Sequence, residues 1–227
     1  LEMELDDELK GGIQKELVAT DRKGNAIFGS VLSKYLPDKG KSVTLTIDAS
    51  IQFIAERALD KAMEDTGAKH ASVIVMDPKT GEILAMANRP TYDPNHYSQG
   101  SEEEFKNIAV TNLYEPGSTF KPIIASAALA SGKWKLDQVY NDKGSFAANG
   151  HVMQNWNGEG YGPVRLIDIL KFSINTGMAE IGTTTGADIL SKYVRNYGFG
   201  SKTGIELPGE GDGILYNPDD MSKLDVA

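Results

Sequence analysis

The sequence contains no cysteine and only three histidines among its 227 residues. Without cysteine, the chain can form neither a disulfide framework nor a thiolate metal site. The histidines, His70, His96 and His151, lie far apart and lack the short spacing of a zinc-binding motif, so we expect no metal site. We expect no cofactor either.

Long apolar runs are also missing. The longest mainly apolar stretch, residues 123–130, is much shorter than the ~18 residues that a membrane-spanning helix requires. Residues 1–10 are acidic, and we therefore expect no signal peptide at this position.

Basic residues are outnumbered, with 23 Lys and Arg against 32 Asp and Glu, a net charge of −9 and a pI near 4.9. Because contacts with phosphates need a basic face, we expect no nucleic-acid partner. Hydrophobic residues make up 40% of the chain, which is typical of a globular protein with its own core. Folding at this length buries roughly 70% of the surface of the unfolded chain.

The pattern of apolar and polar residues divides the chain into two regions. Residues 17–28 alternate in a way that predicts a β-hairpin with a turn at 21–25, and residues 35–41 form a polar linker. We place a domain boundary there, between residues 1–41 and 42–227.

The second region begins with strand patterns and continues with helical ones. Residues 43–47 predict a strand, residues 49–66 a helix capped by Asp48 and ended by Gly67, and residues 71–86 a hairpin with a turn at 77–81. Further helices are predicted at 118–132, 164–171 and 187–197, the last closed by Gly198, with a long Gly- and Asn-rich loop at 141–162. Strands followed by helices favour an α+β (mixed α/β) domain.

One segment carries a candidate nucleophile. Ser118 and Lys121 are three residues apart and share a face of a helix. Pro122 is tolerated only near the first helical turn, so the helix must begin close to Ser118. The helix dipole there disfavours a protonated amine and helps Lys121 act as a base toward the Ser118 hydroxyl. Free N–H groups of the same turn can stabilise an oxyanion. A Ser-x-x-Lys pattern by itself also arises by chance in a chain of this length.

A second segment contains Ser173 and Asn175, two residues apart in a connection between helices. Both side chains can face one cleft there, the hydroxyl to relay a proton and the amide to hold a peptide-like carbonyl. The alternative is a plain helix cap, a position that favours both residue types.

Together the segments resemble the first two active-site motifs of class B penicillin-binding proteins. Ser173-Ile-Asn175 follows Glu115-Pro-Gly-Ser-Thr-Phe-Lys121 after 55 residues, counted from Ser118. Further stretches that resemble the transpeptidase domain of this family are residues 45–48, 77–86, 92–95 and 198–210. The resemblance runs from about residue 43 to the end, and residues 1–41 resemble the end of the preceding pedestal domain.

The resemblance implies a fold, an activity and residue roles. The fold is an antiparallel sheet flanked by helices, like that of the β-lactamases. The activity is D,D-transpeptidation of peptidoglycan, in which Ser118 attacks the penultimate D-Ala of a D-Ala-D-Ala stem peptide and the acyl group passes to an amine of another strand. Lys121 is then the base, Ser173 the proton shuttle and Asn175 the ligand of the substrate amide. β-Lactams acylate the same serine.

The family's third motif is a Lys-Thr/Ser-Gly strand, and Lys202-Thr-Gly204 matches its letters. This triplet lies 29 residues after Ser173, too early for the motif, and turn residues precede it. We therefore interpret Lys202 as non-catalytic and expect the third motif, the C-terminal strands and the membrane anchor to lie outside this chain. The resemblance places the parent protein on the extracytoplasmic face of the bacterial membrane, in a cell-wall synthesis complex. An incomplete sheet also predicts self-association of this chain.

Two alternatives stay open at this point. A serine β-lactamase needs a carboxylate to activate a deacylating water, and Glu180 is more simply a solvated residue of a helix face. A non-catalytic β-lactam sensor or scaffold domain would be acylated at Ser118 without turning over a stem peptide.

Overall fold

The computed structural model describes residues 1–11, 17–33 and 40–227. These residues fall into two compact units. The first comprises Leu1–Thr111 and Ile205–Glu210, and the second comprises Asn112–Gly204 and Gly211–Ala227. The predicted linker at 35–41 falls largely on residues 34–39, which lie outside the described ranges, so the boundary at residue 41 stays a prediction.

The first unit starts with a short helix, α1 (Asp6–Leu9), and an antiparallel hairpin of β1 (Leu17–Thr20) and β2 (Ala26–Ser33). Asp21 organises the turn, because its Oδ1 accepts hydrogen bonds from the backbone N–H groups of Lys23 (2.8 Å) and Asn25 (3.0 Å). The hairpin predicted at 17–28 is thereby confirmed.

The helix α2 (Ala49–Thr66) begins and ends where the sequence predicts. The Asp48 carboxylate accepts from the N–H groups of Ser50 (2.8 Å) and Ile51 (2.9 Å), and Gly67 takes a left-handed conformation with φ 65° after the last turn. The predicted hairpin is also present, as β3 (Ala71–Met76) and β4 (Ile83–Arg89) in antiparallel pairing. Helix α2 packs against it through four small or aliphatic buried residues, Ala55, Leu59, Ala85 and Ala87.

The strand predicted at 43–47 is wrong. This segment is irregular. The hydrogen bonds that join it and the following Asp48 to the start of β4 run from Thr46 Oγ1 to the Ile83 carbonyl (2.6 Å) and from the Asp48 N–H to the Leu84 carbonyl (2.9 Å). Its alternating β-branched residues have a high strand propensity, but a strand also needs a regular ladder of hydrogen bonds with a neighbouring strand. Past β4, the first unit contains the short helix α3 (Ile108–Thr111).

The second unit opens with a 3₁₀ turn, Gly117–Phe120, that runs directly into α4 (Lys121–Ala130). The helix predicted at 118–132 is therefore confirmed in position, although its first turn is 3₁₀ and it ends two residues early. Pro122 lies in the first turn of α4, where its missing N–H costs nothing.

The long loop predicted at 141–162 is wrong, because half of it, 11 of its 22 residues, is strand. It contains parts or all of β5 (Val139–Asp142), β6 (Ser145–Ala148), β7 (His151–Gln154) and β8 (Gly162–Arg165), with β5 paired to β8 and β6 to β7, all antiparallel. Asn149 (φ 47°) and Gly150 (φ 80°) form the two-residue turn between β6 and β7. Asn-Gly is a strong sequence signal for such a hairpin.

Three helices complete the second unit: α5 (Leu166–Lys171), α6 (Asn175–Thr185) and α7 (Ala187–Asn196). The helix predicted at 164–171 begins two residues late, since Val164 and Arg165 pair with Tyr140 and Val139 as the end of β8. The α7 prediction is confirmed, with Gly198 at φ 90° just beyond its end. The core lies between α4, α5 and α6 and includes Ala125, Ala128, Trp134, Ile169, Ile174 and Ile181.

Candidate active site

Ser118 lies in the 3₁₀ turn that leads into α4, with its side chain on an exposed surface. Gly117 before it has a left-handed backbone, φ 56°, which a residue with a side chain adopts only at a cost. The N–H groups of such a first turn have no acceptor within the helix. The local sequence therefore places a hydroxyl next to hydrogen-bond donors that are available to a bound carbonyl.

Lys121, the first residue of α4, points its Nζ at the connection between α5 and α6. The ammonium nitrogen is 2.8 Å from the Ser173 carbonyl oxygen, 3.0 Å from Ser173 Oγ and 2.7 Å from Asn175 Oδ1. Burial lowers the pKa of Lys121 below its ordinary value of 10.5. The neutral amine is thus easier to form here than in water.

Ser173 connects the lysine to the nucleophile, because its Oγ is 2.9 Å from Ser118 Oγ. Its backbone is left-handed, with φ 54°, a conformation that costs a residue other than glycine about 1–2 kcal/mol. The Ser173 side chain and carbonyl both contact Lys121 from this strained position. Strain of this kind persists only where the surroundings hold it, as they do at many functional sites.

The three contacts of Lys121 define the direction of a proton path. A protonated amine fills all three contacts by donating, whereas a neutral amine has two N–H groups and one lone pair. Of the three contacted atoms, only Ser173 Oγ carries a hydrogen. A neutral Lys121 must therefore accept from the Ser173 hydroxyl, which is then free to accept from Ser118. The geometry provides a route from Ser118 to Lys121 through Ser173, in place of the direct contact that helical spacing alone suggests.

Asn175 is held by both ends of its amide. Its Oδ1 accepts from Lys121 and its Nδ2 donates to the Gln154 carbonyl (3.1 Å), which fixes the orientation of the amide. The residue at the cap of α6 is Ile174, and no side chain caps this helix. The capping alternative for Ser173 and Asn175 is therefore wrong, and the structure brings all four candidate residues into one hydrogen-bonded chain.

Sequence reasoning missed the residues behind this chain. Gln154 lies at the end of β7, and Asp142, Asn155 and Thr176 form a buried polar cluster next to it, with exposed fractions of 3%, 4% and 0%. Burial acts to raise the pKa of Asp142, but hydrogen bonds from Thr176, Gly144, Tyr161 and Asn155 outweigh it, so the pKa lies below its usual value. No local sequence pattern predicts this cluster, since its members come from three separate segments.

Lys202, Trp156 and Tyr161 are not part of this chain of contacts. Lys202 is in no strand, and its exposed ammonium is 3.9 Å from Asp212 Oδ1. Trp156 is 78% exposed, and Tyr161 stacks on Phe172 with ring centroids 5.6 Å apart. Among the described residues, no group of three or more His, Asp or Glu is arranged to hold a metal ion.

Comparison with known proteins identifies the family. The family model for the penicillin binding protein transpeptidase domain matches residues 71–226, and the chain belongs to this family. Stage V sporulation protein D of Bacillus subtilis is 39% identical over 219 residues, covering 95% of this chain and 34% of that protein. The probable peptidoglycan D,D-transpeptidase PenA of Neisseria gonorrhoeae is 36% identical, covering 96% of this chain and 37% of that protein.

A solved structure shows the same relationship. The crystal structure of penicillin binding protein 2X from Streptococcus thermophilus is similar with a TM-score of 0.83 and 28% identity, over 96% of this chain and 33% of that one. The family and the mixed helix and antiparallel-sheet fold expected from the sequence are thereby confirmed. The chain spans about a third of the length of the curated relatives it matches. In the part of the chain that the structure describes, no helix is both long and apolar enough to cross a membrane.

Proposed function

We propose that this chain carries the acyl-transfer site of a peptidoglycan D,D-transpeptidase that β-lactams inhibit covalently. The observation that carries the proposal is the chain of contacts from Ser118 Oγ to Ser173 Oγ (2.9 Å) and on to Lys121 Nζ (3.0 Å). A hydroxyl joined to a lysine of lowered pKa is the arrangement that activates a serine for attack on an acyl carbon. Membership of the transpeptidase family supports the same reaction.

In the acylation step, Ser118 Oγ bonds to the carbonyl carbon of the penultimate D-Ala of a stem peptide. The Ser118 proton passes to Ser173 Oγ, whose own proton passes to Lys121. The C–N bond to the terminal D-Ala then breaks, and the leaving amine takes a proton from Lys121 back along the same route. The products are an ester on Ser118 and free D-Ala.

In the transfer step, an amine of a neighbouring stem peptide attacks the ester carbonyl. Lys121 receives the amine proton through Ser173, and Ser118 recovers a proton as its C–O bond breaks. Asn175 holds the acyl donor, since its amide keeps one acceptor site and one N–H beyond the contacts to Lys121 and Gln154. A β-lactam differs because the leaving nitrogen stays tethered to the acyl group, so the ester persists.

The setting of the site is part of the proposal. Residues 1–41 are the end of a pedestal domain, and residues 42–227 are the N-terminal part of the transpeptidase domain. The parent protein is anchored in the bacterial membrane and works on its extracytoplasmic face within a cell-wall synthesis complex, where peptidoglycan lies.

Self-association of this chain is proposed from the hairpin of the first unit. Ile74 and Met76 of β3 are 46% and 52% exposed, and β3 pairs with β4 on one side within the described residues. An apolar edge strand invites pairing with a second copy. Light scattering should detect dimers or larger species, and a monodisperse monomer would contradict this part of the proposal.

The function is tested by incubating the chain with benzylpenicillin and measuring its intact mass. We expect one acyl adduct on the unsubstituted chain and none on Ser118→Ala. Ser126→Ala is the matched control, because Ser126 lies in α4, the helix that follows Ser118, and contacts Tyr197. An adduct on Ser118→Ala would exclude Ser118 as the nucleophile. The absence of any adduct on the folded chain would contradict the proposed function for this chain. Rapid release of hydrolysed nitrocefin would indicate a β-lactamase.

A further inference from the structure

A buried carboxylate lies directly behind the candidate site. Asp142, the last residue of β5, is 3% exposed, and no Lys, Arg or His side chain forms an ion pair with it among the described residues. It accepts four hydrogen bonds: from Gly144 N (2.9 Å), Asn155 Nδ2 (2.7 Å), Tyr161 N (2.9 Å) and Thr176 Oγ1 (2.6 Å). A buried charge without a counter-ion is tolerated only when donors surround it in this way.

The four donors come from separate segments of the second unit. Gly144 follows β5, Asn155 and Tyr161 belong to the connection between β7 and β8, and Thr176 is in the first turn of α6. Asn155 and Thr176 also contact each other, because Asn155 Oδ1 is 3.2 Å from both Thr176 N and Thr176 Oγ1. The carboxylate thus joins the end of β7 to the start of α6.

Both joined segments hold Asn175. Thr176 is its neighbour in the chain, and Asn155 follows Gln154, whose carbonyl accepts from Asn175 Nδ2. The Asn175 amide lies between this carbonyl and Lys121, so any separation of α6 from β7 would release one end of it. Asp142 links the two segments in addition to the direct contact between Asn155 and Thr176.

We infer that Asp142 is a positioning residue of the acyl-transfer site: by joining Asn155 to Thr176, it fixes the Asn175 amide between Gln154 and Lys121. The inference deepens the proposed function and rests on it for its kinetic consequence. Its structural consequence, a fixed Asn175 amide, does not depend on any activity.

Neutral asparagine cannot replace this carboxylate. Each carboxylate oxygen accepts two hydrogen bonds. An amide nitrogen in place of Oδ2 would face the N–H groups of Asn155 and Tyr161. In place of Oδ1 it would face the Gly144 N–H and the Thr176 hydroxyl, so at least one N–H donor loses its acceptor in either orientation. Asp142→Asn therefore keeps the volume of the side chain and weakens the connection between the end of β7 and the start of α6. Thr176→Val is a milder break that removes one donor, and Thr176→Ser restores the hydroxyl.

The test measures hydrogen exchange of the Asn175 side-chain amide by NMR on the ¹⁵N-labelled chain, with the signals assigned through Asn175→Asp. We expect the exchange rate to increase about fivefold or more in Asp142→Asn and Thr176→Val, the size expected for the loss of one hydrogen bond. In Thr176→Ser, the rate should equal that of the unsubstituted chain. Thr185→Val is the matched control. It removes another buried hydroxyl of α6, one that bonds only within the helix. Backbone amides of α7 report whether the unit stays folded.

The second readout is the second-order rate constant of acylation by a fluorescent penicillin. We expect a decrease of about 10- to 100-fold in Asp142→Asn and a smaller one in Thr176→Val, with Thr185→Val and Thr176→Ser close to the unsubstituted chain. If the unsubstituted chain is not acylated, the proposed function fails, while amide exchange still decides the inference. Unchanged exchange in Asp142→Asn, or a uniform increase that includes the α7 amides, would overturn the positioning role.

Discussion

The proton route through Ser173 can be tested with two substitutions at one position. Ser173→Ala and Ser173→Gly both remove the Oγ that is 2.9 Å from Ser118 and 3.0 Å from Lys121. Removal of a positioned proton-transfer group slows a reaction by roughly 10²- to 10⁴-fold. We expect both variants to lose that much of the second-order rate constant for acylation, measured with a fluorescent penicillin against Ser126→Ala as the control.

The two variants differ in the backbone. The left-handed conformation of residue 173, φ 54°, is unfavourable for alanine and accessible to glycine, so Ser173→Gly should be the more stable by about 1 kcal/mol in urea unfolding. We therefore expect the two variants to differ in stability but to be acylated at similarly low rates. Acylation within about threefold of the unsubstituted chain in either variant would refute the relay, because a lost proton route must cost far more. A slow alanine variant beside a normal glycine variant would show that backbone displacement, and not the hydroxyl, caused the loss.

Two further predictions concern the lysine and the core. The pKa of Lys121, measured by ¹³Cε NMR, should lie below 10.5 because the amine is buried, and a value at or above 10.5 would contradict the electrostatic argument. Since the unfolded chain then binds more protons between the two pKa values, the free energy of unfolding should rise with pH across that window, and Lys121→Met should remove this contribution. Ile169→Ala, at a fully buried position, should lower the free energy of unfolding by about 2–5 kcal/mol in urea titrations. Ile167→Ala on the same helix, at a position 68% exposed, should change it by no more than about 0.5 kcal/mol, and equal losses would refute this placement of the core.

Ser173 and Asp142 lie in the same small region but affect folding in opposite ways. The left-handed backbone of Ser173 opposes folding, whereas the hydrogen bonds that Asp142 accepts outweigh its burial and lower its pKa, so the ionised carboxylate favours the folded state. The backbone strain persists because the surrounding core holds the geometry, and Ile169, Ile174 and Ile181 of this core are fully buried. The relay through Ser173 and the connection at Asp142 are therefore two parts of one arrangement.

Several elements could be predicted because their signals are local. Asp48 and Gly67 mark the ends of α2, Pro122 restricts the start of α4, and the turn at 77–81 joins β3 to β4. Each depends on the backbone preferences of a few neighbouring residues, and these preferences can be read from the local sequence alone. The Asn149-Gly150 turn is an equally local signal, and it predicts a hairpin within the segment 141–162.

Other features depend on partners that are distant in the chain. The segment 43–47 has the residues of a strand, but it is joined to β4 by a side-chain bond from Thr46 and by the N–H of the following Asp48, so its strand propensity was not enough. Val164 and Arg165 continue a helical pattern, yet pairing with β5 makes them strand. In both cases, tertiary hydrogen bonding decided against the local pattern.

The chemistry of the site follows from short local motifs: a serine and a lysine at helical spacing near a helix start, and a serine and an asparagine two residues apart. Such motifs depend on residue type alone. How the groups connect depends on the fold. Ser173 lies between Ser118 and Lys121 because of a left-handed backbone, and Asn175 is oriented by Gln154 and the cluster around Asp142. Hydrogen bonds act over about 3 Å, and only folding brings residues separated by tens of positions within that distance.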